Sequence, residues 1–216
     1  MSAPDRSTRP LQLVPSRVVD DQRQNDADLV LALQRGEPTA AEAIWDRYSP
    51  RVHRFLLRSL GRPADDVEDL TQETFLRIFT RASAIRKPAA LREFVMAVAI
   101  RVLKWELRRR RVRRWVRLSD DGEVPDIVID GVDQEARQAL ERCYTILNSL
   151  ATRERVAFAL RYLDEMTMEE VASQLSISLS TAKRLVNRST ALFSAQVGKD
   201  ADLLGYFTGG GAFDGT

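Results

Sequence analysis

Apolar residues recur at intervals of three and four along most of the chain. Leu29 and Leu33, then Ile44, Tyr48, Val52, Phe55 and Leu56, set this spacing between Asp26 and about Trp115, which predicts successive amphipathic helices. The pattern lapses around Gly122, Pro125 and Gly131, where turn formers flank a short Ile127-Val128-Ile129 run. It resumes from about Gln134 to Phe193, a length that suits about four helices. Residues 1–25 hold Pro4, Pro10 and Pro15 among polar positions, and the last residues carry Gly209, Gly210, Gly211 and Gly215. The expected architecture is all-α. It has a flexible tail over 1–25, a helical domain over 26–115, a linker over 116–134, a second small helical domain over 135–194 and a C-terminal tail over 195–216. That last tail reads as loose, with Leu203, Leu204, Tyr206 and Phe207 as the residues that can dock.

Two short helices joined by a tight turn stand out near the C-terminal end. Thr167-Met168-Glu169-Glu170 reads as a capping box, followed by the apolar stripe Val171, Ala172 and Leu175. Ser176-Ile177-Ser178 breaks the pattern, and Ser178 caps a second helix with the inward stripe Ala182, Leu185, Val186, Ser189 and Phe193. This is a helix-turn-helix. The second helix turns Ser180, Thr181, Lys183, Arg184, Asn187 and Arg188 outward, a set that hydrogen-bonds base edges and neutralises phosphates in the major groove. Ser176 stands where glycine commonly sits in such a turn, so it is expected to take a positive φ at modest cost.

An acidic segment precedes these elements. On a helix starting near Asp65, the buried stripe is Val67, Leu70, Thr71, Thr74, Phe75 and Ile78, while Asp69, Gln72, Glu73 and Leu76 share another face. Asp65 and Asp66 suit the first turn of that helix, where its dipole favours negative charge. The spacing argues against a metal site, although carboxylates in such numbers invite that reading, and leaves a mixed polar and apolar stripe that is either a solvated face or a protein contact. His53 has no cysteine, second histidine or evident serine partner, so no catalytic role is assigned to it.

Composition adds less than charge distribution does. The 216 residues are 44% hydrophobic, ordinary for a globular protein, and the single Cys143 excludes an internal disulfide and a cysteine-based zinc site. No stretch approaches the roughly 20 apolar residues that span a bilayer, and Asp5, Arg6 and Arg9 do not resemble a signal peptide. A cytoplasmic protein is expected. The net charge is only +2, yet Arg101 to Arg117 contains nine cations against one acid, Glu106. Ser119 to Glu135 then carries Asp120, Asp121, Glu123, Asp126, Asp130, Asp133 and Glu135 with no cation. In the basic segment Phe94, Val95, Val98, Val102, Trp105 and Leu107 alternate with Arg101, Lys104, Arg108, Arg109, Arg110 and Arg111. Such a helix packs against a core and binds polyanions together, and Trp105 or Trp115 can stack on unpaired bases.

Three segments together resemble the extracytoplasmic-function group of the sigma-70 family, over about residues 26–194. Asp66-Val67-Glu68-Asp69-Leu70-Thr71-Gln72-Glu73-Thr74-Phe75-Leu76 is similar to the family's region 2.2, Phe94 to Arg111 to regions 2.3 and 2.4, and Leu150 through Arg188 to region 4. The resemblance implies that Asp66, Asp69, Leu70, Gln72, Glu73 and Leu76 bind the clamp helices of the RNA polymerase beta-prime subunit. It also implies capture of unpaired -10 bases by the loop from Ala82 to Leu91 and the helix after it, and reading of the -35 element by the helix-turn-helix. The acidic linker would run toward the RNA exit path, and a possible anti-sigma factor joins core polymerase and promoter DNA as a partner. The implied mechanism is recruitment and not catalysis, with no cofactor and no metal.

Two departures are visible. Where the family usually has Asn and Asp in its Ala-x-Asn-x-x-x-Asp segment, this chain has Arg101 and Trp105, so altered promoter preference is expected. The chain also continues past the family's core from about Ala195. The nearest rival is a conventional helix-turn-helix transcriptional regulator, but the upstream half lacks the strand-helix alternation of a receiver domain. A metal-dependent helical hydrolase is a more distant rival.

Overall fold

A computed structural model describes residues 16–61, 64–116 and 134–209. The helices are α1 (Ser16–Gln34), α2 (Pro38–Leu60), α3 (Ala64–Phe79), α4 (Leu91–Val116), α5 (Gln134–Ser149), α6 (Thr152–Phe158), α7 (Met168–Leu175), α8 (Leu179–Val197) and α9 (Ala201–Gly209). Single 3-10 turns at Ala82–Ala84 and Pro88–Ala90 join α3 to α4, and α6 runs on into a π-helical turn at Ala159–Leu163. No strand occurs among the described residues. The acidic linker lies outside them, apart from its two ends.

Local chemistry sets several of these boundaries. Pro38 opens α2, where its fixed φ suits a helix and its missing N–H costs nothing. Gly61 closes α2 in the left-handed conformation, φ 61° and ψ 39°, with its N–H donating to the Leu57 carbonyl. Thr167 caps α7 reciprocally with Glu170, and Ser178 caps α8 by accepting from the Thr181 N–H. Ser176 takes φ 55° at the end of α7, the strained geometry expected of the turn.

α1–α4 bury Phe55, Leu56, Phe75, Ile78, Ile100 and Leu103 at their centre. The same cluster continues through Val156, Leu160, Val171, Ala182 and Val186 of the second helical group. The two groups thus share one continuous core, because α6 and α7 pack against α4 as well as α8, and the π-helical turn after α6 packs against α2. A smaller cluster of Tyr144, Leu147, Leu150 and Phe158 holds α5 on the second group. α1 is anchored by the buried Asp26, which accepts from Tyr48 Oη at 2.5 Å and Arg47 Nη1 at 2.7 Å. Burial, then the hydrogen bond and charge of Asp26, push the Tyr48 phenol well above its ordinary range.

Both expected tails need correction where they are described. α1 starts at Ser16, not near Asp26: no glycine or proline interrupts 16–34, so the helix anchored by Asp26 propagates back to the residue after Pro15. α8 runs to Val197, and residues 201–209 form α9, docked on α5, where a loose tail was expected. Leu203 is fully buried there, Asp200 accepts from its N–H at 3.1 Å, and Arg142 pairs with Asp200 and Asp202. Among the described residues the second group therefore holds five helices, four of them starting within the span expected.

Candidate nucleic-acid interface and protein-contact stripe

α3 divides its residues as its periodicity demands. Val67, Leu70, Thr71, Thr74, Phe75 and Ile78 are buried, with the Thr71 and Thr74 hydroxyls donating back to the Val67 and Leu70 carbonyls. Asp66, Asp69, Gln72 and Leu76 are exposed, Leu76 at 58%, and Glu73 is half-buried. Leu70 needs correction as a contact residue: at 7% exposure it belongs to the core and holds the stripe from beneath. Of its two readings, in the buried period and in the contact motif, the first is the one the fold bears out.

α4 carries the basic surface, and its cations are not equivalent. Glu106 is buried and receives Arg109 Nε at 2.8 Å and Arg110 Nε at 2.6 Å. Burial pushes the Glu106 carboxyl up, but the two guanidinium groups outweigh it and hold the group below its ordinary range. Arg110 is therefore corrected to a structural cation, 11% exposed and also 4.0 Å from Asp66. Arg101, Arg108 and Arg111 are exposed and Lys104 is half-buried. Burial, then Arg153, Arg108 and Arg101 nearby, lower the Lys104 pKa.

Trp105 sits 45% exposed beneath two guanidinium groups, Arg109 at 5.0 Å and Arg77 of α3 at 5.9 Å from its ring centre. Arg77 also pairs with Glu73 at 2.6 Å. Arg77 thereby joins the α3 stripe to the α4 surface, a role missed in the sequence although its spacing of four from Glu73 was readable there.

On α8 the outward set is where its pattern puts it. Ser180, Lys183, Arg184, Asn187 and Arg188 are exposed and Thr181 is half-buried, while Ala182, Val186 and Ser189 face the core. Arg188 pairs with Glu154 of α6 at 2.9 Å but stays 70% exposed, so the pair leaves its guanidinium within reach of a ligand.

Residues 44–113 match the family model for sigma-70 region 2, and residues 133–191 match that for sigma-70 region 4. The chain is 30% identical to the probable RNA polymerase sigma-C factor of Mycobacterium bovis, over 82% of this chain and 93% of that one. The chain belongs to the extracytoplasmic-function group of the sigma-70 family. It is 29% identical to the ferric citrate uptake sigma factor of Escherichia coli, over 68% of this chain and 85% of that protein. Among solved structures it is similar to CnrH, solved in complex with the cytosolic domain of CnrY. The TM-score is 0.58 at 21% identity, over 82% of this chain and 99% of that one, a likeness of fold.

This sigma factor acts with core RNA polymerase on promoter DNA, in promoter recognition and transcription initiation, and is not an enzyme. No described helix is long and apolar enough to cross a membrane. α9 lies beyond the region 4 match, and the whole of α1 precedes the region 2 match.

Proposed function

We propose how the described surfaces divide this work. The exposed face of α3, with Asp66, Asp69, Gln72, Glu73 and Leu76, docks on the clamp helices of the polymerase beta-prime subunit. The turns between α3 and α4, with Arg101, Lys104, Trp105, Arg108 and Arg111, receive unpaired bases and phosphates of the -10 element. The outer face of α8, with Ser180, Thr181, Lys183, Arg184, Asn187 and Arg188, enters the major groove of the -35 element. The observation that carries this reading is the clean split of α3, six side chains buried and an acidic, leucine-ended stripe left outside.

Arg101 and Trp105 give the -10 surface a cation and an indole where the family has an amide and a carboxylate. Stacking under the arginines, and not hydrogen bonding to a base edge, is the contact they favour. CnrH held by the cytosolic domain of CnrY supports an inhibitory protein partner, an anti-sigma factor, for this chain as well.

The test is co-purification of the tagged chain with core polymerase, scored by run-off transcription on promoter fragments. Asp69→Ala with Glu73→Ala is expected to weaken polymerase binding while α8 still binds duplex DNA. Unchanged polymerase affinity overturns the assignment of the stripe. Duplex binding without any polymerase association favours a conventional helix-turn-helix regulator.

A further inference from the structure

α8 is seated firmly on the elements before it. The rings of Phe158 of α6 and Phe193 of α8 stand 5.0 Å apart, Thr190 Oγ1 and Tyr162 Oη lie 3.0 Å apart, and Ala182, Val186 and Ser189 are fully buried on the inner side of the helix. Glu154, in the first turn of α6, is 9% exposed. Both of its carboxylate oxygens are engaged. Oε2 accepts from the Ala151 N–H at 3.1 Å, and Oε1 lies 2.9 Å from Arg188 Nε. The carboxylate is thereby fixed in place and in the direction of its charge.

Arg188 is the outward partner of the pair, with its side chain 70% exposed against 12% for Glu154. A guanidinium is planar and rigid, so a bond at Nε orients the whole group and leaves Nη1 and Nη2 as a parallel pair of donors at the far end. No other hydrogen bond or ion pair of Arg188 is seen among the described residues. Lys183 and Arg184, the other cations of the outward face, show no ion pair there, so no acid sets their direction. An ion pair this exposed adds little to stability, and its effect is on orientation.

We infer that Glu154 is a positioning residue for promoter reading: it holds Arg188 with Nη1 and Nη2 turned outward as a bidentate donor to O6 and N7 of one guanine in the -35 element. The inference rests on the assignment of the α8 face to that element. Two parallel donors match the two adjacent major-groove acceptors of guanine, whereas adenine puts a donor in one of those places. Glu154 acts through Arg188 alone. It removes, before DNA arrives, rotamer freedom that an unheld arginine gives up at the base edge.

The test uses the full chain assembled with core polymerase, on promoter duplexes carrying each of the four bases in turn at every position of the -35 element. Arg188→Ala is expected to lower the preference for guanine at one position by about tenfold or more. Glu154→Gln keeps an acceptor for the Ala151 N–H but loses the charge that holds Arg188. It also removes an acid close to DNA, so long-range electrostatics alone predicts tighter binding on every duplex with preferences unchanged. Positioning predicts instead about a fivefold loss of preference at that same base, and no further loss when Glu154→Gln is added to Arg188→Ala. Glu154→Asp keeps the charge, shortens the reach and is expected to lose preference at the same base. Thermal unfolding checks that the variants fold. Full guanine preference in Glu154→Gln and Glu154→Asp overturns the positioning. So does an equal loss on every duplex that persists in the Arg188→Ala background, which marks a structural role. Arg188→Ala with every preference intact overturns the base contact itself, and with it the reading of α8 at this residue.

Discussion

Arg155 Nη2 donates to the Ser59 carbonyl at 2.9 Å, joining residues 96 apart in the sequence. Nε reaches the same oxygen at 3.2 Å, Nη1 donates to Asn148, and the residue is 4% exposed. Helix ends leave carbonyls without internal partners, and here a side chain of α6 serves those of α2. Arg155→Met is expected to lower the unfolding free energy by about 2–4 kcal/mol, read by urea denaturation. Arg155→Lys recovers only part, because an ammonium cannot reproduce the fork. An unchanged midpoint in the methionine variant refutes this role.

Glu106 gives the fold an acid limb. Its folded carboxyl titrates below the ordinary range, so the contribution to stability is complete above the unfolded glutamate pKa of about 4.3 and is lost as pH falls through the lower folded value. Glu106→Gln is expected to cost about 1–3 kcal/mol near neutral pH. The gap between variant and parent is constant down to about pH 5 and narrows below it. Denaturation curves at several pH values check this, and a gap that does not narrow in acid counts against it.

Ser176 holds φ 55° at the end of α7. Ser176→Gly removes the Cβ that makes this conformation costly, and is expected to stabilise the chain by about 0.5–1 kcal/mol. A lowered unfolding temperature contradicts the strain.

The two arginines on α8 differ in their surroundings. Arg188 leans on Glu154, whereas no ion pair of Arg184 is seen among the described residues. Arg184→Ala is expected to cost about 1–3 kcal/mol of promoter binding with discrimination lost at one base, if it reads a base edge. A uniform loss across sequences, with the salt slope reduced by about one, makes it a phosphate contact. Binding titrations on a set of singly substituted duplexes separate the two.

What the sequence made legible was local. The caps at Thr167 and Ser178, the left-handed Ser176 and the two faces of α3 follow from spacings of two to seven residues, and each is present in the fold. The all-α class followed from the same short-range patterns, and the family from the resemblance of three segments to it. Leu70 stood both in the buried period and in the contact motif, and it is buried; Arg110 was grouped with the basic surface although Glu106, four residues before it, offered it a partner. α9 was missed because one buried leucine among glycines has no period. The fastening of the second group to α2 was invisible for a different reason. Arg51, Tyr144, Arg155 and Asp164 are unremarkable in sequence, and only tertiary packing brings them together.

The bond between Arg155 and Ser59 also has a place in time. A ribosome adding about 5–20 residues per second takes about 5–20 seconds to travel from one partner to the other. Throughout that interval the Ser59 carbonyl is without this partner and is served by water. The end of α2 is therefore hydrated while the second group is being made, and the groove beside Arg101 and Lys104 stays uncovered until Ser173–Ser176 have been added.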